Sequence, residues 1–268
     1  MRICALLMIG IVVGAGCAAS PRNKPPSQVI SPSDANSPGE SALDELEAEL
    51  AQKQKQASVA DPLEPVNRVI FWVNDTVYSL LRPVRQVYIK TVPKPARLGI
   101  RNFFNNLATP ARIVNCILQG KNPEADVELQ RFAINTTVGL LGFGDPARAR
   151  WGLKPAEEDL GQTLAVYGLG DGFYLVWPLL GPSTLRNSVG MVGDMFLDPV
   201  FYVEPEWLAI SISAVNTANS MSFSLAEYDS LKAATVDPYV AIRDAYIQYR
   251  RKQIRDEALP TDANSVKP

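Results

Sequence analysis

The sequence predicts an all-α fold made of several amphipathic helices. Apolar residues recur at spacings of three and four over long stretches, and prolines stand where helices would begin. Alternating strand patterns do not recur at regular spacing, which disfavours a β-sandwich or barrel. The 268 residues are 47% hydrophobic and 20% charged, so one domain with a core is expected.

Composition excludes several classes of function. The formal net charge of −2 gives no basic surface of the kind that nucleic acids require. The chain has no histidine, which removes the commonest general base, the usual zinc ligand and any imidazole triad. The segment GLLGFGD at 139–145 lacks the motifs of a phosphate-binding loop. We therefore expect no metal, no cofactor, no nucleic acid partner and no enzymatic activity.

The N-terminus is typical of a secretory signal peptide covering residues 1–16. It has Arg2, an apolar stretch to Val13 and small residues before Cys17. The last positions resemble a bacterial lipoprotein signal, which makes Cys17 the expected lipid-anchor residue. Ala18, where an aspartate would favour the inner membrane, indicates the outer membrane in such signals. Residues 17–60 form the lipidated N-terminus and a flexible tether, because they are rich in Ser, Pro, Asn, Gln and Lys.

The helical domain is expected at residues 61–252, and its first helix has Pro65 in the first turn. Pro83 should kink this helix or split it in two. Its apolar positions are Val66, Val69, Ile70, Val73, Val77, Leu80, Leu81, Val84, Val87 and Tyr88. This stripe is either an ordinary face toward the core or, because Phe71 and Trp72 lie off it, part of a helix that also meets lipid.

Further helices follow at 99–107, from Pro110 and from Pro123, and the last begins at Pro238. Residues 253–268 form a polar tail that we expect to be disordered. Cys116 lies in an apolar pattern and is interpreted as a small buried hydrophobe. Gly190 and Gly193 on one helical segment would let another backbone approach closely.

The segment 158–186 contains an apolar run, FYLVWPLL at 173–180. It is too short to span a bilayer, so it is either a buried strand or loop, or a re-entrant piece. The acidic residues Glu157, Glu158 and Asp159 precede it. Paired carboxylates can perform acid and base chemistry, but such residues are more often a helix cap or a solvated face.

Several long motifs occur in order between residues 61 and 251. They are DPLEPVNR (61–68), LLRPVRQVY (80–88), VPKPARLGIRNFFNNL (92–107), LQGK (118–121), RFAINTTVGLLGFGD (131–145), EEDLGQTLAVYGLGDGFYLVWPLLGPSTLRNSVG (157–190) and DPYVAIRDAYIQYRR (237–251). Together they resemble the MlaA (VacJ) family of lipoproteins. The matching motif residues are Asp61, Pro62, Glu64, Asn67, Arg68, Asn102, Phe103, Gly120, Lys121, Arg131, Asn135, Thr136, Gly161, Gly181 and Pro182.

The resemblance implies a palmitate-bearing lipoprotein on the periplasmic face of the outer membrane of a Gram-negative bacterium. It implies a ring of helices lying in one membrane leaflet around an amphipathic channel. Phospholipid mislocalised in the outer leaflet would pass through the channel to a periplasmic carrier, MlaC, which maintains lipid asymmetry. The implied membrane partners are trimeric porins of the OmpC and OmpF kind.

A phospholipid path needs polar contacts for the head group, because a lone charge in hydrocarbon is costly. The candidates are Asp159, Gln162, Thr163, Asp171 and Arg186. The alternative is that Arg186 pairs with Asp159 or Asp194 and serves structure alone.

Two other functions remain open. One is a porin-associated scaffold without transport. The other is a lipid hydrolase, which is disfavoured because Ser183 stands in GPSTL rather than in a GxSxG elbow.

Overall fold

A computed structural model of the chain describes residues 59–255, and helices dominate this part. The leader, Cys17, all of the tether except Val59 and Ala60, and most of the tail lie outside the described residues. The helices are α1 (Glu64–Thr91), α2 (Lys94–Leu107), α3 (Thr109–Leu118), α4 (Asn122–Thr137), α5 (Pro146–Trp151), α6 (Leu160–Val166), α7 (Leu185–Met195), a 3-10 helix (Pro199–Tyr202), α8 (Glu206–Ala233) and α9 (Pro238–Ile254). The strands are β1 (Tyr174–Trp177) and β2 (Gly181–Thr184).

Prolines mark the helix starts, as predicted. Pro65, Pro110, Pro123 and Pro238 each occupy the first or second position of a helix, where no backbone N–H is needed. The helix predicted at 99–107 is longer than expected and begins at Lys94. Proline in its first turn likewise costs no hydrogen bond, so the Pro-rich segment before Gly99 joins the helix rather than breaking it.

Helix α1 continues through Pro83, so the prediction of two separate helices is wrong. An internal proline costs about 3 kcal/mol, which tertiary contacts on both sides must offset. Before the proline, the Tyr78 hydroxyl donates to the Leu179 carbonyl at 2.9 Å. After it, the Tyr88 hydroxyl donates to Asn219 Oδ1 on α8 at 2.9 Å. These contacts hold the first half of α1 against the hairpin and the second half against α8.

The central apolar run forms the first strand of a β-hairpin, which agrees with the buried-strand interpretation. Strands β1 and β2 are antiparallel, and Trp177 pairs with Gly181 across the turn. Leu179 and Gly181 adopt positive φ angles of 66° and 84° in this turn. The backbone of Ala60 forms a parallel bridge beside Phe173. The hairpin is a small insertion in a helical fold.

Helices α6 and α7 touch through glycines. A Cβ on Gly190 would lie 2.4 Å from the backbone nitrogen of Gly161, and one on Gly193 would lie 2.2 Å from the Leu160 side chain. At Gly190 the neighbour is backbone, so only glycine permits this approach and the prediction is confirmed there, whereas at Gly193 the neighbour is the end of a leucine side chain.

A small apolar core lies where α1, β1 and α9 meet. It consists of Val59, Tyr174, Val176, Tyr239 and Ile247, with Ile70, Phe71, Val240 and Tyr246 packed against it. Cys116 is fully buried elsewhere, which confirms its interpretation as a small buried hydrophobe, and burial raises the pKa of its thiol to about 11.

The distribution of polarity is unusual for a globular protein. Among the described residues, twenty of the buried side chains are polar or charged and eleven are apolar. Helix α1 buries Asn67 and Asn74, whereas Trp72 is 67% exposed. The outward apolar side chains of α1 are Val66, Val69, Trp72, Val73, Leu80, Val84 and Val87. A core-facing stripe is therefore the wrong interpretation for most of these positions.

Further exposed apolar side chains lie on α7, on the 3-10 helix and on the first half of α8. Trp207 and Ile210 of α8 are among them. Within residues 59–255, we find no helix that is long and apolar enough to cross a membrane.

Candidate functional site

A cavity of about 660 Å³ lies between the hairpin and helices α3, α7 and α9. Its volume is within the range of small-molecule sites. Its lining combines apolar side chains with a group of polar and acidic ones. The lining residues are Ala108, Ala111, Asp159, Trp177, Leu180, Gly181, Pro182, Ser183, Asn187, Met191, Val192, Asp194, Met195, Asp198, Tyr246, Tyr249 and Arg250.

Asp159 and Arg250 form a two-point ion pair on the wall of this cavity. Nη1 of Arg250 donates to Asp159 Oδ2 at 2.6 Å, and Nη2 donates to Oδ1 at 2.8 Å. The same guanidinium donates to Asn187 Oδ1 at 3.0 Å and to Gln253 Oε1 at 2.9 Å. Asn187 Nδ2 donates in turn to the Tyr246 hydroxyl at 2.8 Å. The cluster therefore ties α9 to α7 and to the start of α6.

Asp159 is also the N-cap of α6, because its Oδ1 accepts from the Gln162 backbone N–H at 2.8 Å. The helix-cap interpretation of the acidic segment is thus confirmed for this residue. Glu158 is instead buried, and its carboxylate accepts from Lys121 Nζ and from Gln119 Nε2, each at 2.8 Å. A solvated face is therefore the wrong description of Glu158.

Two carboxyl groups in the cavity have opposite pKa shifts. Burial raises the pKa of Asp159, but the hydrogen bonds and charge of Arg250 outweigh burial and hold that pKa below its usual range. Burial raises the pKa of Asp194 above its usual range, and the Leu160 N–H and the Asn115 amide only partly offset this. The negative charge of Asp159 raises it further. Asp159 is thus the more firmly ionised of the two.

Asp194 connects the cavity wall to a buried polar network. It accepts from Asn115 Nδ2 at 2.8 Å and from the Leu160 N–H at 2.9 Å. Asn115 Oδ1 accepts from the hydroxyl of Thr163, which is fully buried, at 2.8 Å. Gln119 Nε2 donates to the same hydroxyl at 3.1 Å. Thr163 therefore lies inside the network that joins α3, α6 and α7.

The other three candidate path residues lie elsewhere. Asp171 and Arg186 form an ion pair at 2.6 Å, and Arg186 also donates to the Leu169 carbonyl at 3.0 Å. The pairings of Arg186 with Asp159 or Asp194 are therefore wrong. Gln162 faces a second cavity of about 700 Å³, between the start of α4, the loop at 152–158 and the end of α9. Of the five candidates, the structure places Asp159 on the wall of the first cavity.

A separate buried ion-pair cluster surrounds Glu128 of α4, which is 0% exposed. Its Oε2 accepts from Arg112 Nε at 2.8 Å, and its Oε1 accepts from the Ala156 N–H at 2.8 Å. Arg131 lies 3.7 Å from the same carboxylate and pairs with Asp145 at 3.2 Å. The charge of Glu128 is therefore fully paired, and the cluster holds together α3, α4 and the loop that contains Ala156.

Two asparagines of α1 complete the edge of β1. Asn67 Oδ1 accepts from the Val176 N–H at 2.9 Å, and its Nδ2 donates to the Tyr174 carbonyl at 3.2 Å. Further along α1, Asn74 Oδ1 accepts from the Leu179 N–H in the hairpin turn at 2.7 Å. The amides take the place of a third strand, which explains why α1 buries asparagine rather than valine.

The other matched motif residues have structural partners. Asn102 donates to the Phe143 carbonyl at 3.4 Å. The ring of Phe103 stacks on the ring of Phe143, with 4.9 Å between the ring centroids. Further contacts are Asp61 with Asn67, Tyr239 and Arg243, Arg68 with Glu64 and Asp237, Asn135 with Asp145, and Thr136 with Asn106. Gly120 has a positive φ angle of 75°, and Pro182 lies in β2 on the cavity wall.

Sequence reasoning missed Arg250, Asn187 and Tyr246. Arg250 stands in the last of the sequence motifs, DPYVAIRDAYIQYRR at 237–251. It is 91 positions from Asp159, and no local pattern links the two. A signal was present in the helical spacing, because Tyr246 and Arg250 lie one turn apart on α9.

No group of metal-ligating side chains is found among residues 59–255. The fold and the cavity define a class: a helical protein with apolar side chains turned outward, of the kind that meets protein or lipid, and a polar interior around a cavity.

Comparisons with known proteins give the family. A family model described as MlaA lipoprotein matches residues 59–253. The chain is 36% identical over 200 residues to a protein of Escherichia coli (strain K12) named intermembrane phospholipid transport system lipoprotein MlaA, with 72% of this chain and 78% of that one covered. A protein of the same name from Haemophilus influenzae is 32% identical over 214 residues, covering 75% of this chain and 85% of that one. The chain belongs to the MlaA lipoprotein family.

A solved structure reported under the words "Structural basis for maintenance of bacterial outer membrane lipid asymmetry" has the same fold. Its TM-score with this chain is 0.65 at 34% sequence identity. The alignment covers 73% of this chain and 99% of the other. The helical architecture predicted from the sequence is therefore confirmed.

Proposed function

We propose that this protein moves phospholipid at the outer membrane of a Gram-negative bacterium and thereby maintains lipid asymmetry. It takes mislocalised phospholipid from the outer leaflet and passes it through the cavity beside Asp159 and Arg250 to a periplasmic carrier of the MlaC kind. Lipidation at Cys17 would hold it on the periplasmic face of the membrane. Trimeric porins of the OmpC and OmpF kind are the proposed membrane partners.

The inverted distribution of polarity carries this proposal. Apolar side chains of α1, α7 and α8 face outward, where hydrocarbon would cover them. Ionic and hydrogen-bonded side chains line the inner cavity, where a head group would replace its water contacts with protein ones. A helical ring lying in one leaflet around an amphipathic channel agrees with this arrangement. The names of the relatives in Escherichia coli and Haemophilus influenzae support it.

The two alternative functions, lipid hydrolase and porin-associated scaffold, require different structural features. A lipid hydrolase needs a nucleophile with a base, but the Ser183 hydroxyl contacts Ser188 and the Thr184 carbonyl. A porin-associated scaffold needs an outer surface and makes no use of a cavity. Blocking the cavity therefore separates transport from scaffolding.

The test is Ala111→Trp, which places an indole in the cavity, with Ala226→Trp on an exposed position of α8 as the matched control. Each variant replaces the wild-type gene, and outer-leaflet phospholipid is measured by its accessibility to added phospholipase. We expect A111W to match the gene deletion while it remains bound to porin, and A226W to match wild type.

Normal asymmetry in A111W at wild-type abundance would contradict the conduit. The enzyme alternative is tested by incubating purified protein with labelled phospholipid. Release of lysolipid or free fatty acid would establish hydrolysis and overturn the proposal.

A further inference from the structure

The cavity beside the hairpin has an excess of acidic side chains. Asp159, Asp194 and Asp198 line it, against a single cation, Arg250. Asp159 is neutralised by its ion pair with Arg250. Asp194 and Asp198 form no ion pair with any residue in the described part of the chain. The formal charge of the lining is therefore −2 when all three carboxylates are ionised.

Arg250 retains a donor after its protein contacts are counted. Four of the five guanidinium N–H groups bind Asp159, Asn187 and Gln253. Its Nε is buried and has no hydrogen-bond partner among residues 59–255. Because Arg250 is only 9% exposed, an unsatisfied donor here is costly unless a ligand accepts from it. Phosphate oxygens are the natural acceptors for an arginine in such a position.

The two carboxylates without ion pairs are suited to a cation. Each oxygen of Asp194 accepts one hydrogen bond, from Asn115 and from Leu160, so each keeps accepting capacity. Asp198 Oδ1 accepts from the Val200 N–H at 2.9 Å and has the same spare capacity. An ammonium group supplies three donors and one positive charge, which these acceptors can share.

Apolar side chains continue the same lining. Trp177, Leu180, Met191 and Met195 lie beside the charged group. They provide contact for the glycerol and the first methylenes of acyl chains, and methionine adapts to irregular shapes. The cavity therefore presents an anion site, a cation site and an apolar surface in one volume.

We propose that this cavity selects zwitterionic phospholipids whose phosphodiester ends in an ammonium group. The phosphate accepts from Arg250, and the ammonium group binds Asp194 and Asp198. An anionic phospholipid with an uncharged polyol head group brings negative charge toward two carboxylates and leaves them without a counterion. This inference rests on the proposed phospholipid transport and adds the substrate class.

The experiment exposes purified full-length protein to mixed micelles that contain equal amounts of phosphatidylethanolamine and phosphatidylglycerol with matched acyl chains. Lipid that remains bound after gel filtration is extracted and quantified by mass spectrometry. We expect the wild type to retain the ethanolamine lipid in an excess of about fivefold, since one partly exposed ionic contact changes affinity by less than about tenfold.

The variant Asp198→Asn keeps the cap on Val200, because asparagine caps as well as aspartate, and it should lower the excess to about twofold. Asp194→Asn should lower it similarly, and the double variant should bind both lipids equally. Asp126→Asn, on an exposed position of α4, is the control and should keep the wild-type ratio. Circular dichroism checks that each variant is folded.

Two results would overturn the assignment in different ways. Lipid retained by the wild type in the ratio of the mixture, or richer in phosphatidylglycerol, would reject the head-group selection and leave the conduit standing. No lipid retained by folded wild-type protein would contradict the proposed transport function and the inference with it.

Discussion

Buried polar side chains in this protein are matched to one another with few unsatisfied atoms. Arg250 illustrates the energetic argument: transfer of a lone guanidinium to the interior is prohibitive, but two-point pairing with Asp159 and the amide oxygen of Asn187 offset most of this cost and leave only Nε without a partner among the described residues. Removal of one partner leaves an uncompensated charge, which costs more than the pair itself contributes. Stability and the chemistry of the cavity therefore depend on the same side chains.

The variant Asp159→Asn tests this coupling through its pH dependence. The pKa of Asp159 is lower in the folded protein than in the unfolded chain, so its ionised form stabilises the fold above about pH 4, the ordinary aspartate value. That contribution is lost as the pH falls through the folded pKa. At neutral pH we expect D159N to lower the free energy of unfolding by about 1–2 kcal/mol, discounted because 35% of the side chain is exposed.

Denaturant unfolding in detergent micelles, followed by tryptophan fluorescence from pH 7 to pH 3, measures this difference. The gap between wild type and D159N should narrow as the pH falls, because protonated aspartate and asparagine both lack the charge. Asp126→Asn, at an exposed position, should follow wild type throughout. A gap that stays constant down to pH 3 would contradict the assignment.

Helix α1 and the hairpin depend on each other through side-chain amides. The side-chain amide of Asn74 makes two of these contacts. Its Nδ2 donates to the Trp177 carbonyl at 2.9 Å, and its Oδ1 accepts from the Leu179 N–H at 2.7 Å. A two-stranded hairpin is marginally stable by itself, so this edge contact is a large part of its support. The hairpin also forms one wall of the cavity, and its order is therefore required for the site.

We expect Asn74→Ala to make the turn of the hairpin more mobile. Loss of a buried amide with both bonds costs about 1–3 kcal/mol, and the Leu179 amide should exchange with deuterium about tenfold faster or more. Hydrogen exchange with mass spectrometry on the peptide covering 173–184 measures this. Thr76→Ala is the control, because its exposed hydroxyl bonds only to the Trp72 carbonyl of its own helix. Unchanged protection in N74A would show that the hairpin does not need α1.

The sequence indicates local features better than distant ones. Helix starts at Pro110 and Pro123 and the close approach at Gly190 follow from one residue and its neighbours, and these predictions are confirmed. The direction in which the α1 stripe faces does not follow from periodicity, because period alone cannot separate a core from hydrocarbon. Asn67 and Asn74 lie one heptad apart and so share a face of the helix, but this spacing does not reveal that the face is buried, because asparagine is usually exposed.

The cavity is harder to predict because its parts come from distant segments. The place of Asp159 beside an apolar run predicts a role in the lipid path, and the structure puts this residue on the cavity wall with Arg250. Asp171 and Arg186 flank the same run but pair with each other away from that wall. Membership of a short segment fixes neighbours along the chain and leaves the direction of each side chain open.

At the scale of the whole molecule, the usual placement of side chains is reversed: apolar ones lie outside and polar ones lie inside. A soluble globule buries apolar side chains because about 25 cal/mol is gained for each Å² removed from water. Here a large share of that area remains on the outside, and the interior is held by hydrogen bonds and ion pairs. Such a fold reaches its lowest free energy only when lipid or protein covers the outer surface.

The outward stripe of α1 tests this directly. Replacement of Val69, Val73 and Val84 by serine removes exposed apolar groups and leaves the buried asparagines of the helix in place. Each substitution should weaken vesicle binding by about fivefold, since roughly 1 kcal/mol of apolar transfer is lost per valine. Flotation of a form lacking the leader and lipid with liposomes measures the partition, and Thr76→Ser with Gln86→Ser, both exposed on the same helix, is the control.

The triple serine variant also shows whether lipid or another protein covers the exposed face of α1. If a lipid leaflet covers α1, the triple serine variant partitions about a hundredfold less into protein-free liposomes, and the control is unchanged. If another protein covers it instead, the wild type itself stays in solution with liposomes, and the serine variant differs only when that partner is present. Retention of full liposome binding by the triple variant would show that these three valines do not form the membrane contact, and it would direct attention to the exposed apolar side chains of α7 and the first half of α8.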